Sequence, residues 1–183
     1  MAQRAGESRF VIDWEDNDEL FYEELSAGHR WATHVANEMN ERHVRCHVKP
    51  MEFRENLDDR DRFENEQDIT FDIMSGCVEV KSRRLHFTHD PRSFPYGTAF
   101  VDTVAGWEKK QPKPLAVVLV SQLTKAMIVV PTSTKGGWGT KRSFDRVRNI
   151  EESWYVVNRT QLRSFDDLVA WLLARQSSGS PVR

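Results

Sequence analysis

In the stretch FDIMSGCVEVKSRR, residues 71–84, Asp72, Glu79 and Lys81 are the side chains that could do chemistry together. Around them Ile69, Phe71 and Ile73 alternate with Asp68, Thr70 and Asp72, and Val78 and Val80 alternate with Glu79 and Lys81. The alternation predicts two strands, and Ser75-Gly76 is a turn signal between them. A two-residue turn would pair Met74 with Cys77, Ile73 with Val78, Asp72 with Glu79 and Thr70 with Lys81. The Cβ atoms of Asp72 and Glu79 would then stand roughly 4.5–5.5 Å apart, and their charges would repel unless neutralised. Lys81 shares the face of Glu79 because residues two apart point the same way. The reverse face, Ile69, Phe71, Ile73, Val78 and Val80, is apolar and is expected to pack on a helix. Converging carboxylates suit a hard cation such as Mg²⁺, which takes one or two carboxylates and keeps several waters. Such an ion would relieve the repulsion, polarise a phosphodiester and lower the pKa of an attacking water. Lys81 could orient that water or neutralise charge developing on phosphate.

These residues need elements to hold them. Phe21, Leu25, Gly28, Ala32, Val35 and Met39 recur at steps of three and four, which predicts an amphipathic helix over about 18–41 with close packing at Gly28. Val44, Cys46 and Val48 alternate as a strand. The charged segment 54–66 and residues 85–97 read as loops, and about 99–110 as a short helix. LAVVLVS, residues 115–121, is a nearly continuous apolar run, as in a strand covered on both faces. AMIVVP follows as a strand, then a glycine loop, then WYVV (154–157) as a last strand. Ser164 and Asp167 open a final helix to about Arg175 in capping-box style. Trp107, Trp154 and Trp171 are expected in the core. The order of elements predicts an α/β protein with one mixed sheet and helices on both sides. The expected organisation is a polar segment over 1–17, one domain over 18–176 and a disordered tail over 177–183.

FDI…VEVKSR resembles the active-site motif of the PD-(D/E)xK nuclease superfamily, an acid on one strand and E-x-K on the next, here Glu79-Val80-Lys81. The resemblance implies a restriction-endonuclease-like αβββαβ core over roughly residues 18–130, extended by a C-terminal strand and helix. It implies a Mg²⁺-dependent phosphodiesterase acting on DNA, with Mn²⁺ as a substitute ion. The expected enzyme is a small endonuclease, the sequence itself not separating attack within a strand from attack at its ends. Two acids and the Val80 carbonyl would hold the metal, and Lys81 would assist the attacking water. Gln67 and Phe71 stand where the superfamily often has a proline before its acid. Two aspartates compete for that place. Asp72, seven residues before Glu79, fits the two-residue turn; Asp68, eleven before, has the commoner spacing but would face Arg83 unless a bulge shifts the register. Many members add a helix acid. On a helical wheel Glu24 falls within the arc of Phe21, Gly28, Trp31 and Val35, as an extra ligand or a partner of a nearby arginine, while Glu23 points away. The rival readings are a solvated sheet face and a catalytically silent nucleic-acid-binding or regulatory domain on the same scaffold.

The net charge is −2, but it is unevenly spread. Residues 1–80 hold 9 Lys and Arg against 20 Asp and Glu, and residues 81–183 hold 17 against 8, so −11 faces +9. That asymmetry suggests a polyanion-facing surface. Arg83, Arg84, Lys109 and Lys110 flank the proposed site as phosphate contacts. Lys135, Lys141 and Arg142, in the stretch 135–142, could cradle phosphates while Trp138 stacks a base. Asp102 reads as a helix cap, His86 and His89 as surface histidines, and Cys46 and Cys77 as buried free thiols. No apolar run approaches the roughly 20 residues of a membrane helix, and the N-terminus lacks a signal-peptide core, so no membrane is expected and a cytoplasmic location is. A homodimer would supply the two active sites that double-strand cutting needs. A compact, stand-alone enzyme of this kind fits a phage or mobile-element origin.

Overall fold

A computed structural model describes residues 14–50, 68–145 and 150–178, with residues 14–25 and 145 described in backbone only. The protein is α/β. Helix α1 spans Trp14–Glu41, and strands β1 (Cys46–Val48), β2 (Ile69–Phe71) and β3 (Cys77–Arg83) follow. Strand β4 (Thr98–Thr103) runs directly into helix α2 (Val104–Lys109). Then come β5 (Ala116–Ser121), β6 (Met127–Pro131), β7 (Gly139–Asp145), β8 (Ile150–Asn158), β9 (Arg163–Ser164) and helix α3 (Phe165–Ser178).

The described residues form a six-stranded mixed sheet, ordered β1-β2-β3-β5-β6-β9, and a three-stranded sheet, ordered β4-β8-β7. Strand β5 lies parallel to β3, with Glu79 beside Val117 and Lys81 beside Leu119, and antiparallel to β6. Its apolar run is buried on both faces, as expected. Val118 and Val120 face one core with Ala32, Val35, Ala36 and Met39 of α1 and Phe165, Leu168 and Leu172 of α3. Val117 and Leu119 face a second core with Val101 of β4, Trp107 of α2 and Val157 of β8. Each such aliphatic side chain contributes about 1.5–3 kcal/mol by leaving water.

The second core corrects one expectation. One sheet with helices on both sides was anticipated; instead the second face is covered by α2 together with the small antiparallel sheet. The expected helix over 99–110 is therefore β4 followed by α2. The expected loop over 135–142 is the end of a 3₁₀ turn (Thr132–Gly137) and the start of β7, whose partner β8 begins at Ile150. Trp107 is buried, Trp154 is half-buried against Phe100, and Trp171 is 40% exposed. Trp171 borders an open cleft beside Arg163 and Arg175, and the Arg175 guanidinium lies 4.7 Å from its ring centre. Gly28 is exposed, and a Cβ there would meet nothing within 4 Å, so no close packing explains it.

Local chemistry fixes the ends that matter. Asn40 donates to the Ala36 and Cys46 carbonyls at 2.9 and 3.0 Å, which ties the end of α1 to β1. Asp167 N–H donates to Ser164 Oγ and Ser164 N–H to the Asp167 carboxylate, the reciprocal cap expected for α3. Both cysteines are buried and free. The expected N-terminal segment 1–17 and loop 54–66 lie largely or wholly outside the described residues, as does the tail from residue 179; Ser177 and Ser178 close α3.

Candidate active site

The hairpin pairs Ile69 with Val78 and Thr70 with Cys77, a register that sets Asp68 level with Glu79. The expected Asp72–Glu79 pairing is thus corrected. The connection is not the two-residue Ser75-Gly76 turn but a five-residue loop from Asp72 to Gly76. Gly76 has φ 119°, and a Cβ on it would lie 2.7 Å from a methyl of Leu115. That position closes the loop against β5 only as glycine. Ile73, expected on the apolar face, sits in this loop and is 50% exposed. Asp72 turns outward instead, and its carboxylate pairs with His47 Nδ1 at 2.9 Å.

Asp68 is tied to the neighbouring strand by its side chain. Its Oδ2 accepts the Val80 N–H at 2.6 Å. In a strand, one residue's N–H and C=O leave on the same side, so the Val80 carbonyl also faces the Asp68 edge. Burial, and next the Glu79 charge, push the Asp68 carboxyl up to about 6, against the Val80 hydrogen bond, Lys81 and Lys110.

Glu79 is 8% exposed and Asp102 is 6% exposed. Two lysines answer them. Lys81 Nζ lies 2.6 Å from Glu79 Oε1 and 3.8 Å from Asp102 Oδ1. Lys110 Nζ lies 3.2 Å from the same Glu79 oxygen and 3.1 Å from Asp102 Oδ2. The four groups close a ring of alternating charge. Burial pulls the Lys81 ammonium down, but the charges of Glu79 and Asp102, the hydrogen bond to Glu79 and the charge of Asp68 outweigh it and hold it above the ordinary lysine range. Pairing of this kind is what permits charges to be buried at all. Glu79 Oε2 is buried with no hydrogen-bond partner among the described residues.

The ring gives two residues roles that sequence reasoning did not assign. Lys110 was read as a phosphate contact and Asp102 as a cap. The cap of α2 is Thr103, whose Oγ accepts the Gly106 N–H. Asp102 instead points into the site because β4 is irregular. Phe100 pairs with Val156 but Thr103 with Trp154, so two residues of β4 oppose one of β8. The bulge lets Val101 and Asp102 both be buried in succession, which a regular strand would forbid on one face. Gly106 keeps the approach open: a Cβ there would meet Thr103 Oγ at 2.8 Å and an Asp102 oxygen at 3.5 Å.

The other expected residues are spread more widely. Arg83 shares the Glu79–Lys81 face and is half-buried; burial pulls its guanidinium below the ordinary value, opposed by Asp102 and Glu79. Arg84 and Lys109 are exposed. Lys135 packs over Tyr155, 3.6 Å from its ring centre. Trp138 contacts Trp107 edge-on and donates to Thr134, so it is partly a packing residue. Lys141 lies over Phe100, and Arg142 stands 3.9 Å from Glu151. His86 and His89 are exposed. Glu24 lies on α1, but its side chain is outside the described residues.

Among the described residues no three His, Cys, Asp or Glu side chains form a ready-made metal cluster, and no helix is long and apolar enough to cross a membrane. Glu79 nonetheless keeps a buried oxygen without a hydrogen-bond partner among the described residues, an atom that a two-carboxylate Mg²⁺ site shared with Asp68 would use. No protein-family model, curated protein or solved structure matches the chain.

Proposed function

We propose that the protein is a Mg²⁺-dependent DNA endonuclease with a restriction-endonuclease-like core. One observation carries the reading: Asp68 stands level with Glu79 and grips the Val80 N–H, while Lys81 reaches Glu79 at 2.6 Å. The acid and the E-x-K triplet, eleven residues apart in sequence, meet on adjacent strands. Asp68, Glu79 and the Val80 carbonyl would hold the ion. When bound, it supplies Lewis-acid polarisation of the phosphodiester and a more acidic water. Lys81 would donate a hydrogen bond to the attacking water or to a phosphate oxygen as negative charge grows there. Arg83, Arg84 and Lys109 would meet the flanking phosphates. Cleavage of both strands would call for two copies of the chain.

The test is cleavage of plasmid and linear DNA with Mg²⁺ or Mn²⁺ by wild type and Lys81→Ala. Wild type should cut and Lys81→Ala should be slower by at least about a hundredfold, the usual scale for losing a group that acts in the transition state. A wild type that cuts no form of DNA or RNA overturns the enzyme reading. A Lys81→Ala protein that cuts at the wild-type rate overturns the site assignment. A second reading, a silent nucleic-acid-binding domain, draws on the closed ring itself, since two lysines already balance Glu79 and Asp102. DNA binding without cleavage would favour it.

A further inference from the structure

Resting on that reading, we propose that Lys110 is a built-in competitor of the divalent ion and sets how tightly the ion binds. Glu79 Oε1 is contacted by both ammonium groups, Lys81 at 2.6 Å and Lys110 at 3.2 Å. A divalent ion on the free Glu79 oxygen would stand about one carboxylate width from two positive charges, in surroundings that screen them poorly. One ammonium has to give way, and the backbone decides which. Lys81 is fixed on β3, paired with Leu119 of β5. Lys110 is the residue after the six-residue helix α2, in extended backbone outside any strand, where its N–H donates to the Trp107 carbonyl at 3.2 Å. Asp102 is the counterweight. It faces Lys110 at 3.1 Å and Lys81 at 3.8 Å, so it offers Lys110 a second partner when Glu79 turns to the metal. The device makes the metal-free site stable and the ion's entry conditional on displacing a charge already there.

Two variants should move metal affinity in opposite directions. Lys110→Met removes the competitor and keeps the side-chain length, and should bind Mn²⁺ about tenfold tighter or more. A neighbouring unit charge commonly shifts a charged equilibrium by that much. Asp102→Asn removes the second partner, confines Lys110 to Glu79 and should bind Mn²⁺ more weakly. Lys110→Arg keeps the charge and should stay near wild type. The measurement is Mn²⁺ binding by calorimetry or by the spin resonance of free Mn²⁺, on full-length protein without DNA, with circular dichroism to show folding. Should Lys110→Met not fold, Lys110→Gln takes its place. A neutral Lys110 variant binding Mn²⁺ no tighter than wild type overturns the competitor role and leaves the nuclease reading standing. If neither wild type nor the variants bind Mn²⁺, the metal-dependent reading itself falls.

Discussion

The two ends of β2 carry the same residue type in opposite surroundings. At its start Asp68 is partly buried, bonded to the Val80 N–H at 2.6 Å and level with Glu79. Just past its end Asp72 pairs with His47 at a similar distance, 2.9 Å, yet both side chains are more than half exposed. Distance alone would rank the two aspartates together. Burial separates them: one has its proton affinity shifted by neighbours it cannot escape, and the other trades a partner for water at little cost. The same contrast divides the molecule's charges into a buried ring around Glu79 and the exposed cations of β7.

The largest effect should come from Glu79, the carboxylate that both lysines share. Glu79→Gln would leave two ammonium groups with Asp102 alone, and breaking a buried pair by removing one partner costs about 3–5 kcal/mol. Urea unfolding in EDTA should show a loss of that order. A loss below about 1 kcal/mol would mean that water already solvates the ring, and the contrast with Asp72 would collapse.

Next comes the acid at the start of β2. With its carboxyl up to about 6 against an ordinary 3.8, the folded state holds a proton that the unfolded chain has released. Stability of the metal-free protein should therefore fall as pH rises from about 4 to about 6, and level off above. The full difference is on the order of 2–3 kcal/mol, one unit being worth about 1.4. Asp68→Asn, which can still accept the Val80 N–H, should lack this slope. Unfolding midpoints against pH for both proteins give the difference directly, and two parallel curves would contradict the burial argument.

How far the sequence could be read follows from the same hairpin. Alternation assigned Asp68, Glu79 and Lys81 to one face, and that survives, because the observed register differs from the expected one by an even number of residues. An even slip leaves the paired side chains on their faces, so periodicity could not choose between Asp68 and Asp72. The choice lay in the loop, where the close approach of Gly76 to Leu115, a contact 39 positions away, outweighs the turn signal. The continuous apolar run of β5 was legible for the opposite reason, since burial on two faces needs no register. Asp102 was invisible as a site residue, and Lys110 was legible only as a phosphate contact flanking the site, not as a partner of Glu79. A bulge leaves no mark in composition, and α2 brings Lys110 to β3 only through the packing of Trp107 in the second core.

The smallest effect sharpens the comparison most. Asp72→Asn removes a carboxylate that is 51% exposed and whose partner is 60% exposed. Exposed pairs contribute about 0.2–1 kcal/mol, and the asparagine can keep a hydrogen bond to His47, so the change in unfolding free energy should stay below about 0.5 kcal/mol. Cleavage, measured beside Asp68→Asn under one set of conditions, should stay within about twofold of wild type while the Asp68 variant loses it. The two variants lie four positions apart in sequence and make the same chemical change, so only the surroundings can separate them. If Asp72→Asn is the inactive protein and Asp68→Asn cuts normally, the acid of the site is the exposed one. The hairpin must then reach the two-residue turn when it works, and burial is the wrong guide to which carboxylate meets the metal.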